Sequence, residues 1–349
     1  MREKPLINSL EGKTAERPPF WFMRQAGRYL SEYRELRSRT GSFIDLCLNR
    51  AASTEVTLQP IRRFEPDAAI LFSDILIVPY GLGMDVRFEE GKGPILDAVC
   101  DAKGLDKLSI DKSWSRIEST YETVESVKSQ LDSDKTLIGF SGAPWTVATY
   151  MVEGKSSKDY ATVKGWAYRE TEEFERLINL LVVATIKHLS LQIDAGADVI
   201  KIFDTWAGVL SPEEYQRWVI RPSFEICSEL KRRYPDVKII GFPKGVGVGY
   251  LDFANKVGVD GVAIDTSVPP EWAAEFLQND VTVQGNLDPI VLIEGGDRMI
   301  DQARNIRESL QSGPFIFNLG HGVLPATPVE NVIKLAEFLR VPLEQVESN

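Results

Sequence analysis

Eight short apolar runs recur along the chain, and most of them are rich in β-branched and aromatic residues. They cover residues 18–23, 68–76, 136–142, 197–205, 238–245, 259–266, 281–287 and 314–322. Strands that are buried on both faces lose the usual alternation of apolar and polar positions, so such runs are typical of a parallel sheet. The pattern therefore predicts eight buried strands.

Segments with helical periodicity separate most of these runs. Residues 211–235 open with Ser-Pro-Glu-Glu, a helix start signal, and stop at Pro235. The apolar stretch near residue 180 is broken by Lys187 and His188 and is too short to span a bilayer, so it predicts a buried helix. Eight strands alternating with helices predict a single (β/α)8 barrel over residues 1–349.

An open, doubly wound sheet is the main alternative fold. That fold usually carries a GxGxxG turn after its first strand, and this sequence has none there. The longest departure from the strand and helix alternation is residues 81–100, which we interpret as a hairpin insertion after the second strand.

Composition narrows the possible partners. The formal net charge is −11, whereas a protein that binds nucleic acid usually presents a basic face, so we expect no nucleic-acid partner. The three cysteines are far apart and form no CxxC pair, which argues against a disulfide framework or a thiolate zinc site. The N-terminus lacks the apolar core of a signal peptide, so we expect a cytoplasmic protein without a membrane partner.

In a (β/α)8 barrel the chemistry lies at the C-terminal ends of the strands. Polar or aromatic groups follow each apolar run, and we expect them to converge on one mouth: Arg24, Arg28, Asp74, Trp145, Tyr150, Asp204, Thr205, Lys244, Asp265, Gln284, Asn286 and His321.

The loop after the first run is basic, whereas the chain as a whole is acidic. Residues 17–39 hold six arginines and only two acids, Glu32 and Glu35. Arginine offers a planar fork of donors that binds carboxylate or phosphate bidentately. We interpret Arg34 and Arg39 as part of an exposed helix face with ion pairs. For Arg24 and Arg28 we predict anion binding, with Gly27 letting a ligand approach the backbone.

The other candidates have weaker signals. Asp74 lies inside an apolar run, where an unpaired acid is costly, so we predict that it faces a cavity and accepts N–H donors. Tyr150 is a candidate hydrogen-bond donor, Phe140 a candidate apolar wall and Thr205 a candidate carboxylate ligand. His321 stands between glycines, where it is a candidate proton shuttle or hydrogen-bond donor.

Two other chemistries can be considered. Lys244 at a strand end is in principle able to form a Schiff base, as in barrel aldolases. A metal site lacks ligands in the sequence, because the two histidines are distant and no HExxH motif is present. We therefore expect no metal.

Over nearly its whole length the sequence resembles the uroporphyrinogen decarboxylase family. The resemblance rests on FMRQAGRYLSEYRELR, TLQPIRRFEPDAAILFSDIL, GFSGAPWTVATYM, IFDTWAG, QGNLDP and FNLGHGVLPATPVENV, which occur in the family's order. It implies a homodimeric (β/α)8 barrel without cofactor. It also implies removal of carbon dioxide from four acetate groups of a reduced cyclic tetrapyrrole, which gives coproporphyrinogen in haem and chlorophyll biosynthesis.

The resemblance also implies roles for particular residues. The family's substrate-binding positions match Arg24, Gln25, Ala26, Gly27, Arg28, Arg37, Asp74, Phe140, Tyr150, Phe203, Thr205 and His321. Of these, Asp74, Arg24, Tyr150 and His321 are expected to be catalytic. Ser31 and Ala326 depart from the family's usual RYLPE and GxLPET, outside the residues expected to contact substrate.

The chemistry implied by the resemblance needs no cofactor. Protonation of a pyrrole carbon turns the substrate into its own electron sink, and a carboxylate in a water-poor pocket stabilises the resulting cation. We assign that carboxylate to Asp74 as a hypothesis. The proton donor is left open between His321 and an arginine. A zinc-dependent methyltransferase of a related barrel family and a non-catalytic tetrapyrrole-binding protein are the alternative functions.

Overall fold

The chain folds around a central sheet of parallel strands. A computed structural model describes residues 3–89 and 93–342. The described residues form nine strands: β1 (Ala68–Ile70), β2 (Val86–Glu89), β3 (Gly93–Leu96), β4 (Thr136–Gly142), β5 (Val199–Asp204), β6 (Lys238–Pro243), β7 (Gly261–Ala263), β8 (Thr282–Leu287) and β9 (Phe315–Leu319). Seven of them form one parallel sheet in the order β1-β4-β5-β6-β7-β8-β9.

The eighth position of the barrel is occupied by the first apolar run, which forms an isolated parallel bridge at Phe20 instead of the predicted strand. Phe317 N donates to Pro19 O, and Trp21 N donates to Phe317 O. On the other side, Asp67 N donates to Phe20 O. The segment thus joins β9 to β1 and closes the barrel. Its ladder is short because Pro18 and Pro19 have no N–H to donate.

Side chains of alternate residues fill the barrel. Val199, Ile240 and Phe242 belong to an interior cluster with Trp21 and Ile138, separate from the larger core between the sheet and its helices. Because successive residues of a strand point to opposite faces, the remaining positions of the same strands face that outer core. The fold is a (β/α)8 barrel, which confirms the fold class predicted from the sequence.

Helices surround the sheet. The described helices are α1 (Pro5–Leu10), α2 (Ser31–Ser38), α3 (Phe43–Leu48), α4 (Arg50–Phe64), α5 (Ile77–Gly81), α6 (Ala102–Leu105), α7 (Ile110–Ser113), α8 (Glu118–Gln130), α9 (Pro144–Glu153), α10 (Ala161–Arg169), α11 (Thr171–Asp194), α12 (Pro212–Tyr215), α13 (Arg221–Arg233), α14 (Gly249–Val257), α15 (Pro270–Phe276), α16 (Pro289–Glu294), α17 (Gly296–Leu310) and α18 (Val329–Arg340).

One of these helices, α11, is long and apolar enough by composition to cross a membrane. Core helices of globular proteins pass the same test, and 56% of its most apolar window is buried inside the protein. Phe174, Leu181 and Leu189 are fully buried on this helix, as expected for the buried helix predicted from the sequence.

Strands β2 and β3 lie outside the barrel sheet and pair antiparallel, with Val86 opposite Leu96 and Glu89 opposite Gly93. They fall within residues 81–100, for which a hairpin was predicted, but residues 90–92 between the two strands lie outside the described residues. The ring of Phe88 on β2 lies 4.6 Å from that of Phe43 on α3, so this pair of strands packs against the helical layer.

The N-terminal ends of the strands are held together by three aspartates that each precede a strand. Each carboxylate accepts a backbone N–H from an adjoining barrel segment: Asp67 from Phe20, Asp198 from Leu137 and Asp260 from Ile239, at 2.8 to 2.9 Å. Each also binds a cation: Asp67 binds Arg17, Asp198 binds Lys4 and Lys128, and Asp260 binds Lys231. All the charges of this set are therefore paired.

Candidate active site

The candidate site lies at the opposite end of the barrel, where the strands have their C-terminal ends. Asp74 follows β1, Thr205 follows β5, and His321 follows β9. Phe140 and Phe203 belong to β4 and β5 themselves, and the arginine loop follows the barrel-closing segment. Because these strands are parallel and adjoin one another in a closed sheet, their C-terminal ends form one rim.

Arg24 is held against the loop that follows β9. Its φ angle of 58° is left-handed, which is uncommon for a residue with a side chain. A Cβ added to Gly322 would overlap the Arg24 side chain, so the absence of a side chain at Gly322 makes room for it. Val323 N donates to Met23 O at 2.8 Å and fastens the two loops together. Among the described residues, no ion pair or hydrogen bond engages the guanidinium of Arg24.

Gln25, in contrast, turns into the protein. It is 1% exposed, its Oε1 accepts from Phe22 N, and its Nε2 donates to Ala68 O. Tyr29 also donates its hydroxyl to Gln25 O at 2.6 Å. Both polar atoms of the Gln25 side chain thus have a protein partner, and these bonds shape the loop that presents Arg24. The sequence did not predict this arrangement. The substrate contact expected for Gln25 stays a prediction.

Ala26 and Gly27 are half-buried in the same loop. Gly27 does not have a positive φ, and a Cβ placed on it would lie in ordinary contact with Arg24 O at 3.5 Å. The protein itself therefore does not require glycine at this position. The role predicted for Gly27, close approach of a ligand to the backbone, stays a prediction.

Arg28 and Arg37 both lie near Tyr33, a buried aromatic residue of α2. Burial raises the pKa of Tyr33 to about 12, while the charges of Arg37 and Arg28 act in the opposite direction, which places both arginines near its ring. Tyr33 packs edge-on against Phe72, two residues before Asp74, at 5.7 Å. The guanidinium of Arg37 donates to Gly41 O, whereas that of Arg28 is exposed and has no partner among the described residues.

Asp74 is half-buried beside the arginine loop. Its Oδ1 accepts from Leu76 N at 2.8 Å, and its carbonyl accepts from Ile77 N. Burial raises the pKa of Asp74, and the Leu76 N–H and the charge of Arg24 partly offset that rise. The carboxylate thus has one backbone partner, lies within electrostatic reach of Arg24, and retains acceptor capacity for a ligand.

Tyr150 on α9 lies close to the same two charges. Burial raises its pKa, the Asp74 carboxylate raises it further, and Arg24 acts to lower it. Its ring lies 6.2 Å from that of Trp206, which holds it against the loop after β5. Asp74, Arg24 and Tyr150 therefore share one mouth, as the sequence predicts.

His321 also belongs to this group. Burial lowers its pKa to about 4, with further lowering by Arg24 and Lys244, while Asp265 acts in the opposite direction. The imidazole is consequently neutral at pH 7 in the free protein. In this state it can donate an N–H hydrogen bond but carries no extra proton to release.

Phe140 and Phe203 form an apolar wall below these polar groups. Their rings meet edge-on at 5.5 Å. The backbone of Phe140 is held by Gln192 on α11, whose Oε1 accepts from Phe140 N and whose Nε2 donates to Phe140 O. No local sequence signal connects Gln192 to this wall, because it lies far from Phe140 in the sequence and inside an apolar helix.

Thr205 is half-buried at the end of β5, next to a buried acid. Asp204 is 2% exposed, its Oδ1 accepts from the Thr146 hydroxyl at 2.5 Å, and its Oδ2 has no hydrogen-bond partner. Burial raises the pKa of Asp204 to about 7. Trp206 N donates to the same Thr146 oxygen, so Asp204 orients its neighbours, one of the roles considered from the sequence.

Several residues expected at the mouth have structural partners instead. Gln284 is fully buried inside the barrel and accepts from Trp21 Nε1. Asn286 donates to the carbonyls of Asp265 and Val268, and Trp145 donates to Trp206 O. The alternation of a strand predicts which residues face inward, but depth along the barrel decides whether they reach the mouth.

Within the described residues no group of three or more His, Cys, Asp and Glu side chains is arranged to hold a metal ion. The mouth instead gathers cations around a half-buried carboxyl group and an aromatic wall, an arrangement suited to an organic anion that also carries donor groups. The fold and this mouth define the chain as a (β/α)8 barrel protein with cationic side chains and a half-buried carboxyl group at its mouth.

Comparison with known proteins narrows this class. The family model described as "Uroporphyrinogen decarboxylase (URO-D)" matches residues 1–341. Uroporphyrinogen decarboxylase of Rhodospirillum rubrum is 51% identical over 97% of this chain and 98% of its own length. The Jannaschia sp. and Brucella anthropi proteins of the same name are each 48% identical over 97% of this chain and 99% and 98% of their lengths. The chain belongs to the uroporphyrinogen decarboxylase family.

Solved structures show the same fold at lower sequence identity. A methyltransferase from Methanosarcina mazei superposes with a TM-score of 0.75 at 18% identity, covering 96% of this chain and 97% of that protein. A B12-independent methionine synthase from Shewanella sp. gives a TM-score of 0.55 at 11% identity, covering 86% and 89%. At these identities the likeness concerns the fold alone.

Proposed function

We propose that the chain decarboxylates the four acetate side chains of uroporphyrinogen to methyl groups and so produces coproporphyrinogen. The observation that carries this proposal is the mouth, where the charge of Arg24 acts on the half-buried carboxyl group of Asp74 and neither Arg24 nor Arg28 has a side-chain partner among the described residues. A substrate with eight carboxylates and four inward-pointing pyrrole N–H groups complements both features.

The arginines provide binding and orientation. A guanidinium without a protein partner can donate two parallel hydrogen bonds to a carboxylate, and such charge-assisted bonds are roughly twice as strong as neutral ones. Arg24, Arg28 and Arg37 would hold carboxylates at the rim of the macrocycle. Thr205 and Tyr150 would add neutral hydrogen bonds, while Phe140 and Phe203 would pack against the apolar face of the ring system.

Asp74 would bind the centre of the macrocycle. Its carboxylate would accept the pyrrole N–H groups. Each cycle begins when a proton adds to a pyrrole carbon and produces a cation. The bond between the acetate methylene and its carboxyl carbon then breaks, carbon dioxide leaves, and the bonding electrons neutralise the ring. A second proton adds to the methylene carbon and the ring proton is lost, so that one proton is consumed for each carbon dioxide released.

The electrostatics of the site suit this sequence of steps. A carboxylate in a water-poor environment stabilises a neighbouring cation more strongly than it would in water, because little solvent screens the interaction. Donation of the pyrrole N–H groups would favour the ionised form of Asp74 and counteract the rise in pKa that burial causes. Substrate carboxylates near His321 would likewise raise its lowered pKa and allow it to hold a proton.

The proposed activity can be tested directly. The protein is incubated anaerobically with uroporphyrinogen, without added metal, and the products are separated by their number of carboxylates. We expect loss of four carboxylates per macrocycle. Unchanged octacarboxylate would contradict the proposal, and stoichiometric zinc in the purified protein would instead favour methyltransferase chemistry.

We also propose that the chain is a single catalytic domain over residues 1–349 that works in the cytoplasm as a homodimer without a cofactor. Family membership supports this proposal, and so does the single closed sheet that runs through the described part of the chain. Light scattering at micromolar concentration tests the dimer, for which we expect twice the chain mass of 39.1 kDa.

A further inference from the structure

A lysine stands at the mouth on the side opposite the arginine loop. Ile240 and Phe242 of β6 point into the barrel, and Lys244 continues the same alternation two residues further on. Because β6 ends at Pro243, the side chain of Lys244 leaves the strand at its C-terminal end, on the inner side of the rim.

The backbone of Lys244 is firmly positioned. Its N–H donates to Asp204 O at 3.0 Å, and its carbonyl accepts from Gly208 N at 3.0 Å. A Cβ added to Gly208 would overlap the backbone of Gly245, so the loops after β5 and β6 touch at these two glycines. The next residue is held as well, since Gly245 N donates to the Asp265 carboxylate at 2.7 Å.

The ammonium group of Lys244 has no counter-ion in residues 3–89 and 93–342. The residue is half-buried, and among the described residues no ion pair or hydrogen bond engages its ammonium group. The carboxylate of Asp265 already accepts from Gly245 N, the Tyr250 hydroxyl, and the N–H and hydroxyl of Ser267. A half-buried cation that no protein anion engages can bind a carboxylate of a ligand.

The position of Lys244 complements that of Arg24. In the closed ring of eight positions, β6 is the fourth from the barrel-closing segment in either direction, so the two residues follow opposite segments. The charges of both residues act on the imidazole of His321 and lower its pKa, so Arg24 and Lys244 are both within electrostatic reach of His321. A macrocycle with carboxylates around its whole edge would meet a cation at each of two opposite points.

We propose that Lys244 forms a second carboxylate-binding subsite, which holds an acidic side chain of the substrate on the side of the mouth opposite Arg24 and Arg28. This inference rests on the proposed function and names a further part of the same site. It assigns Lys244 to binding and orientation of a polycarboxylate, in place of the Schiff-base chemistry considered from the sequence.

The test compares variants of two lysines at opposite ends of β6: Lys238 is its first residue and Lys244 directly follows its last. Lys244→Met removes the charge at the mouth, Lys244→Arg retains it, and Lys238→Met removes a charge from the other end of β6. We expect Lys244→Met to raise KM for uroporphyrinogen about tenfold, as for loss of one charge-assisted hydrogen bond, with kcat changed less than about threefold. Lys244→Arg should restore most of the affinity, and Lys238→Met should match the wild type.

A second measurement separates this inference from the proposed activity. Binding of uroporphyrin, the oxidised octacarboxylate, is followed by fluorescence titration at low salt and does not require turnover. We expect Lys244→Met to weaken it about tenfold and Lys238→Met to leave it unchanged. Wild-type affinity for uroporphyrin in Lys244→Met overturns the subsite even if the wild type decarboxylates, whereas weakened binding without any turnover overturns only the proposed function. Lys244→Gln replaces the methionine variant if its melting temperature is lowered.

Discussion

The two ends of the barrel use charge in opposite ways. At the N-terminal end of the strands, Asp67, Asp198 and Asp260 each bind a cation and a backbone N–H. At the C-terminal end, Arg24 and Lys244 have no partner among the described residues, and burial raises the pKa of Asp74. The first arrangement stabilises the fold, whereas the second leaves charges available for a ligand.

Two arginines close together in the sequence illustrate this difference between paired and available charges. Arg17 donates two hydrogen bonds to Asp67, at 2.7 and 2.8 Å. Arg24, seven residues later, has no such partner in the described part of the chain. We therefore expect substitutions at the N-terminal end to change stability and substitutions at the mouth to change activity.

The largest effect is expected for Asp74→Asn. Loss of the carboxylate that stabilises the cationic intermediate should lower kcat by about 100-fold to 1,000-fold, with a much smaller change in affinity. Since burial raises the pKa of Asp74, its ionised form is disfavoured in the folded state, and the variant should be at least as stable as the wild type at pH 7. Steady-state kinetics and urea unfolding check both statements.

The exposed Asp85 provides the matched control for this variant, because Asp85→Asn removes the same charge at a site 57% exposed. Wild-type turnover in Asp74→Asn would remove this carboxylate from the mechanism.

The next effect concerns Arg24. Arg24→Met should lower kcat/KM by about 10-fold to 100-fold, because a bidentate carboxylate contact is lost, and should leave the melting temperature unchanged. Arg39→Met, in the same arginine-rich segment, removes an exposed partner of Glu35 and should have less than about a twofold effect, since exposed ion pairs contribute little. Equal losses in both variants would mean that general attraction of the anionic substrate, and not a specific contact, accounts for the result.

At the N-terminal end, Asp198→Asn should show the converse behaviour. Two lysines lose their common partner, so the free energy of unfolding should fall by about 2 kcal/mol, with kcat of the folded enzyme unchanged. Urea unfolding and the anaerobic assay measure the two quantities. Asp236→Asn, at an exposed position, should lie within about 0.5 kcal/mol of the wild type. If Asp198→Asn lowered kcat but not the free energy of unfolding, the N-terminal end of the barrel would not be purely stabilising, contrary to our expectation.

The contribution of Asp198 to the free energy of unfolding should also depend on pH. Burial alone would raise its pKa, but the Leu137 N–H and the lysines Lys128 and Lys4 outweigh that effect and the net shift is downward. A lowered folded pKa means that the stabilisation is complete above the unfolded value of about 4 and is lost as pH falls through the folded value. The difference in stability between wild type and Asp198→Asn should therefore shrink as the pH falls through that acidic range.

The smallest expected effect is a change in the pKa of one histidine, measured by NMR. Burial lowers the pKa of His188 to about 3 and that of His321 to about 4, so neither imidazole should titrate by NMR between pH 5 and 8 in the free protein. Uroporphyrin should raise the pKa of His321 alone, because His188 lies in a helix away from the mouth, with Tyr121 as its partner. A free-protein titration of His321 near its ordinary value of about 6.5 would contradict the described surroundings.

The sequence predicts the barrel well, because apolar runs and helical segments are local signals. The first run is the exception, since Pro18 and Pro19 at its start have no N–H to donate and only one bridge forms, at Phe20. The arginine-rich loop and Asp74 could also be identified from the local sequence. The loop is basic in an acidic chain, and Asp74 is an acid inside an apolar run. Their expected roles in binding and catalysis stay predictions.

Other features depend on pairings that no local pattern reveals. Gln25 and Gln192 are polar residues whose amides are used by backbone groups distant in sequence. Asp198 and Asp260 look like ordinary residues before a strand, and only the closed sheet brings them to neighbouring N–H groups. The unpaired state of Lys244 likewise becomes visible only when the side chains around it are known.

The central claim is that a polyanionic macrocycle binds at the mouth with Asp74 at its centre and cations at its edge. A crystal structure of the protein with coproporphyrinogen, grown and frozen under anaerobic conditions, tests it most directly. We expect the Asp74 carboxylate oxygens to lie within about 3 Å of the pyrrole nitrogens, with Arg24 bound to a carboxylate of the ligand. A macrocycle bound elsewhere, or with its nitrogens turned away from Asp74, would contradict the account.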